Sequence, residues 1–275
     1  MLSRFRSCLA AFAVVAACGQ TVGMACAQGT KTVINAATVP KYPPFEFKDP
    51  ASGKLIGFDV DIVDAIAARM GLKVNWIGSS FDQLISSVET KRADVIVAGM
   101  ADTPERRATV SFLDYLHANT VFFILRTNAA RFPDLDALCG KRVATARRTI
   151  WPAAIEKWSD EHCTAAGKPA VVVVGTDGSP DTRLQLNQGR ADAAVQGAET
   201  IPYQNSIEGN RYVILGKPFL VQDMGLGFAK DDTQFGRKLK EALAGLMADG
   251  SYQELLRKWD LTGSAIEQAM INGQP

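Results

Sequence analysis

The strongest constraint on the fold is an alternation. Short apolar, β-rich runs are separated by stretches with helical periodicity, and this order repeats along most of the chain. Residues 33–39 read as a strand. Residues 59–70 read as a helix, with Ile62, Val63, Ile66, Ala67 and Met70 on one face and Gly71 as its stop. A strand at 72–77, a helix at 81–91 and a strand at 94–98 follow. The same order recurs at 141–145, 149–163, 170–174, 180–189 and 192–196. Strands separated by helices build parallel sheets covered on both faces. Recurrence of the pattern after about residue 128 predicts two similar lobes. Short apolar runs at 121–125 and 226–229 break the alternation and fall beside the expected lobe boundary. Helices at 232–249 and 251–259, split by Gly250, close the chain; Leu239, Leu243, Leu246 and Met247 form an ordinary core stripe.

The first 27 residues are set apart. Arg4 and Arg6 give a positive start, Leu9 to Cys18 is an apolar run of ten residues, and Ala25-Cys26-Ala27 is a small-residue exit. This is the layout of a secretory signal peptide, too short to span a bilayer stably. Val15-Ala16-Ala17-Cys18 also resembles a lipoprotein box, which would place lipid on Cys18. Release after Ala27 is the preferred reading. The remaining 248 residues carry 28 basic and 29 acidic side chains, and that balance points to neither nucleic acid nor a polybasic membrane contact.

Cys139 and Cys163 remain after the leader, and an even pair in an exported chain favours a disulfide. Two separate buried thiols are the alternative. Neither these cysteines nor His117 and His162 complete a metal set, so no metal or cofactor is expected. No Gly-x-Ser-x-Gly elbow and no phosphate-cradling loop is present.

The densest signal lies between Tyr42 and Arg106. It contains Tyr42-Pro43-Pro44-Phe45-Glu46-Phe47, then Gly57-Phe58-Asp59-Val60-Asp61, and ends in Thr103-Pro104-Glu105-Arg106. Order and spacing resemble the N-terminal lobe of bacterial extracellular solute-binding proteins of family 3, the polar amino-acid receptors of ABC importers. The resemblance extends over the whole chain after the leader and is looser in the second lobe. It implies an α/β, two-lobed, type II periplasmic-binding-protein-like fold, each lobe a sheet flanked by helices, with two crossover strands as hinge. Lobe one is then 28–117 plus 223–275 and lobe two 118–222, with crossings near 117–119 and 222–224.

The resemblance also implies site residues. The arginine of the Thr-Pro-Glu-Arg motif grips a ligand carboxylate, a role carried to Arg106; a guanidinium does this through two parallel hydrogen bonds. The bland alternative is an exposed arginine paired with Glu105 or Asp102. Gly99 sits where the family sets a backbone group or a small side chain against the ligand, Ala101 is the ligand-binding position two places on, and Tyr42 and Phe81 match positions that supply aromatic or apolar walls. Core packing is the alternative for both rings. In lobe two Thr149 is expected to cap a helix facing the ligand, with Gln196 on the same wall. Arg147 and Arg148 make the mouth positive, unless they are a solvated surface pair.

Three departures stand out. The aspartates that the family commonly offers to a ligand ammonium are Gly197 and Val39 here, and a common hydroxyl is Ala101. Glu199 is a candidate substitute. Otherwise an ammonium would lose water without gaining a partner, and a carboxylate lacking an amine fits the residues better. The resemblance implies an extracytoplasmic, periplasmic, monomeric receptor that performs no chemistry and delivers an amino acid or related small carboxylate to an ABC permease. The other readings are a cyclohexadienyl-acid dehydratase on the same fold and a receptor serving a sensor or dehydrogenase system.

Overall fold

The computed structural model describes residues 32–275. The expected leader at 1–27, with Cys18, lies outside the described residues. In chain order the strands are β1 (Val33–Thr38), β2 (Lys41–Tyr42), β3 (Glu46–Lys48) and β4 (Leu55–Ile56), followed by helix α1 (Phe58–Arg69) and β5 (Lys73–Gly78). Next come α2 (Leu84–Glu89), β6 (Val95–Val97), the single turn α3 (Pro104–Arg107) and the long β7 (Val110–Leu125). Then follow β8 (Arg142–Ala146), α4 (Trp151–His162), β9 (Val172–Thr176), α5 (Ser179–Asn187), β10 (Ala193–Gly197) and α6 (Thr200–Glu208). The chain ends with β11 (Tyr212–Ala229), α7 (Thr233–Ala248), α8 (Ser251–Lys258) and β12 (Met270–Ile271).

The main sheet runs β5-β1-β6-β11-β7-β10-β8-β9. β1 is parallel to β5 and β6, and β8 is parallel to β9 and β10. Both parallel sets are joined by two long antiparallel strands, β7 and β11. The apolar runs at 121–125 and 226–229 are the ends of these two strands. That is why they broke the alternation: strands of 16 and 18 residues serve both halves of the molecule. His117, Ala118 and Asn119 pair with Asp223, Gln222 and Val221, so the segments read as crossings lie side by side.

Apolar burial follows the same division. One pair of core clusters draws on residues 34–118 and 224–269. The other pair draws on residues 122–215. Tyr42 packs against the largest cluster of each.

Local chemistry accounts for the elements near the cleft. α1 opens at Gly57, whose φ of +139° is open to glycine alone. Asp59 and Asp61 occupy its first turn, where the helix dipole favours acids. Gly71, at φ +70°, terminates it in the left-handed conformation. The helix read at 81–91 begins as a 3-10 turn over Phe81–Gln83 before α2. Three features escaped the sequence reading. The β2–β4 sheet has strands of two or three residues, too short for a period-2 pattern. β12 is equally short. α6 carries Pro202 within its first turn, where proline is tolerated but masks a helix signal.

The expected disulfide is present: Cys139 and Cys163 are bonded, with Cα atoms 5.5 Å apart. It ties the approach to β8 to the C-terminal end of α4. Closing a loop of this separation constrains the unfolded chain by about 3 kcal/mol in the loop-entropy model. Replacing Cys139 and Cys163 by serine is expected to lower stability by about that amount in urea titration, and the unreduced, denatured protein without residues 1–27 should show no reactive thiol. Two reactive thiols would contradict the bond.

Candidate ligand-binding cleft

A cavity of about 500 Å³ opens between the two halves of the sheet. One wall comes from the β1–β6 side, from Val39 through Arg106; the other comes from the turns before α4 and α5; Gln222 of β11 lies at the crossing. This is the C-terminal edge of parallel strands, where open α/β sheets bind ligands.

Arg106 sits in α3, positioned by a cap and a proline. Thr103 Oγ1 accepts the Arg106 amide at 3.3 Å, and Pro104 opens the turn. The guanidinium donates from Nη1 to Ala101 O at 2.7 Å and lies 5.6 Å from the Phe81 ring centre. Asp102, the partner offered by the bland reading, is held instead by Arg107 through two bonds of 2.6 and 2.7 Å. No carboxylate among the described residues forms an ion pair with Arg106. Burial lowers its pKa, opposed by the fields of Glu105 and Asp102. A cation in this state, with donors unspent, is poised for an anion.

Gly99 has φ +50°, and its amide donates to Asp59 Oδ2 at 3.1 Å. A Cβ there would lie 3.1 Å from Tyr42 Cε1, so the absent side chain lets the Tyr42 ring lie against this turn. Tyr42 stacks on Phe45 at 5.2 Å. Its Oη reaches the Gly197 backbone without forming a well-aligned hydrogen bond. A Cβ on Gly197 would lie 2.7 Å from Tyr42 Oη and 3.0 Å from Glu199 Oε2. The space of the missing residue-197 side chain is therefore shared by Tyr42 and Glu199.

Tyr42, Phe81, Gly99, Ala101, Arg106, Arg147, Arg148 and Thr149 all line the cavity. Gln196 and Glu199 do not. Gln196 is fully buried and donates to Thr200 Oγ1 at 2.5 Å. Glu199 Oε1 accepts from Asn119 N at 2.8 Å and from Ser264 Oγ at 3.2 Å, which ties β10's far end to the C-terminal segment. Thr149 Oγ1 accepts the Trp151 amide at 3.2 Å, serving the start of α4.

The positive mouth expected from Arg147 and Arg148 is neutralised. Arg148 pairs with Asp82 across the cleft, and Arg147 with Asp177 at 3.1 Å. Asp82 and Asp177 carry no sequence signature, since each is remote from its partner in the chain. The sequence reading also missed Glu46, a cavity-lining acid with 1% exposure, and Asp59 behind it. Their signal was available: an acid inside Pro-Phe-Glu-Phe and another inside Gly-Phe-Asp-Val are both flanked by core side chains.

Two parallel-sheet halves bridged by two strands, with a cleft between them and an arginine in it that forms no ion pair among the described residues, define the class of type II periplasmic binding proteins. The chain belongs to the bacterial extracellular solute-binding proteins, family 3, whose model matches residues 34–262. It is 28% identical to the histidine-binding periplasmic protein of Escherichia coli strain K12, over 82% of this chain and 86% of that one. Among solved structures it is similar to an ancestral arginine-binding protein bound to arginine, with a TM-score of 0.72 and 29% identity, covering 83% of this chain and 98% of that chain. It is also similar to an ancestral amino acid-binding protein that is a precursor of cyclohexadienyl dehydratase, with a TM-score of 0.71 and 25% identity over 82% of this chain and 95% of that one.

Proposed function

We propose that this protein is a periplasmic receptor that closes around an amino acid or closely related carboxylate and delivers it to an ABC permease. The observation that carries this reading is Arg106: a largely buried guanidinium on the cavity wall, without a carboxylate partner among the described residues. The relatives' names, arginine-binding and histidine-binding, support an amino-acid ligand. Lobe one is 28–117 plus 223–275 and lobe two is 118–222, with hinge motion about the paired segments of β7 and β11. Tyr42 and Arg106 belong to the first lobe, and Thr149, Arg147 and Arg148 to the second. The protein acts as a monomer, and its leader is removed after Ala27. It binds its ligand without transforming it. The dehydratase-related neighbour is itself an amino acid-binding protein, which favours the receptor reading.

A thermal-shift screen of the twenty amino acids and a set of organic acids tests this. A ligand at 100 times its dissociation constant adds about 2.7 kcal/mol of stability. At least one amino acid is expected to raise the melting temperature by several degrees. No shift with any member of the panel would overturn the reading.

A further inference from the structure

Glu46 and Asp59 are both essentially buried and are hydrogen-bonded to each other. No lysine, arginine or histidine among the described residues forms an ion pair with either. Asp59 receives two other donors, the Gly99 amide at 3.1 Å and the Tyr115 hydroxyl at 2.8 Å. Glu46 lines the cavity, and its Oε2 has no hydrogen-bond partner among the described residues. Tyr42, opposite Glu46 in the β2–β3 pair, also lines the cavity with an unpartnered Oη. Two like charges this close do not both ionise in a dry site. The pair therefore shares one proton and carries one negative charge, stabilised on Asp59 by its donors. A buried charge without a cation is costly, and the pair meets the cavity through Glu46.

Asp59 holds the amide of Gly99, and Arg106 holds the carbonyl of Ala101, two residues further along the same turn. Two residues of chain span at most about 7 Å. A negative pair and a free-handed guanidinium are thus anchored to one short stretch of the cavity wall.

We propose that the Glu46–Asp59 pair is the counter-charge for the ligand's α-ammonium, with Glu46 Oε2 and Tyr42 Oη as its acceptors. This rests on the receptor reading and deepens it. It reverses the expectation drawn from Val39 and Gly197 that a carboxylate without an amine fits better. Besides each other, the groups facing the pair are the Tyr42 and Tyr115 hydroxyls and the Gly99 amide, all neutral. Burial pushes Asp59 up to about 6, and burial together with Asp59 pushes Glu46 upward. Below about pH 6 the pair takes up its second proton and becomes neutral, and an arriving ammonium must expel that proton.

The experiment is titration calorimetry with three matched pairs: L-arginine and 5-guanidinopentanoic acid, L-histidine and imidazolepropionic acid, L-glutamine and 4-carbamoylbutanoic acid. The wild type is expected to prefer the amino acid of the binding pair by about 30-fold or more. In the double variant Glu46→Gln plus Asp59→Asn that preference should fall to about fivefold or less, while the desamino acid binds within about threefold of its wild-type affinity. Asp59→Asn keeps one oxygen acceptor, for the Gly99 amide, and its NH2 can donate to the Tyr115 hydroxyl oxygen, so both contacts have a partner in the variant. A second measurement needs no variant. Repeating the wild-type titration at pH 5 in buffers of different ionisation enthalpy should show proton release with the amino acid and none with its desamino partner. An unchanged preference in the variant, or no proton release, overturns the assignment. A desamino acid that binds wild type best overturns it too, yet leaves the receptor reading standing. If none of the three amino acids binds, the matched pair is made from the amino acid with the largest thermal shift and its desamino analogue; failure of every amino acid to bind counts against both.

Discussion

Arg106→Ala is expected to abolish measurable ligand binding while leaving the fold intact. Removing one partner of a desolvated, bidentate charged contact costs on the order of 2–5 kcal/mol, roughly 30-fold to several thousandfold in affinity. The fold should survive because, among the described residues, the guanidinium makes no ion pair and donates one backbone hydrogen bond, to Ala101 O. The turn around it is held independently, by the Thr103 cap and by the Arg107–Asp102 pair. Arg106→Lys should rescue little, since an ammonium is a point charge and cannot reproduce two parallel hydrogen bonds. Calorimetric affinity within a factor of three of wild type would show that the carboxylate is held elsewhere.

Gly57→Ala is expected to have the largest effect on stability. Its Cβ would sit 1.9 Å from the carbonyl oxygen of Phe45, at a φ of +139° that an alanine resists on its own account. Strain at such a backbone position costs on the order of 1–3 kcal/mol, before any clash is relieved. Relief means moving either the Phe45 segment or the start of α1. Those two segments carry Glu46 and Asp59, so loss of stability and loss of binding should appear together. Circular-dichroism melting measures the first. A melting temperature within two degrees of wild type would mean that the Tyr42–Phe47 turn is far more pliable than its packing indicates.

How far these features could be read from the sequence depended on the range of the forces involved. The α/β alternation was legible because a helix stripe such as Ile62, Val63 and Ile66 and a strand run such as 95–97 are local patterns. The place of Arg106 on the cavity wall was legible through the resemblance of its Thr-Pro-Glu-Arg motif to the family, a motif whose cap and proline are contiguous in the chain. The exchange of partners around it was not, since Arg107 rather than Arg106 takes Asp102, a choice set by side-chain direction within one short turn. The charge of the mouth was misread for a related reason. Arg148 meets Asp82 only after the chain has folded back across the cleft, 66 residues away in sequence. The long strands β7 and β11 were seen only as their ends, because their middles at 117–119 and 222–224 mix polar residues at the crossing. Gly197 looked like a simple loss of an acid. In three dimensions its empty side-chain space is filled by Tyr42 Oη and Glu199 Oε2. Glu46 was quoted within its motif but given no role, as its importance comes from Asp59, a neighbour on another element.

The most direct test of the account is a crystal structure of the protein grown with the amino acid that gives the largest thermal shift. The account predicts that amino acid in the cavity between the two halves of the sheet. Its carboxylate should lie on the Arg106 guanidinium at about 2.7–2.9 Å, the range of charge-assisted pairs. A ligand bound outside that cavity, or inside it with its carboxylate turned away from Arg106, would contradict the central claim.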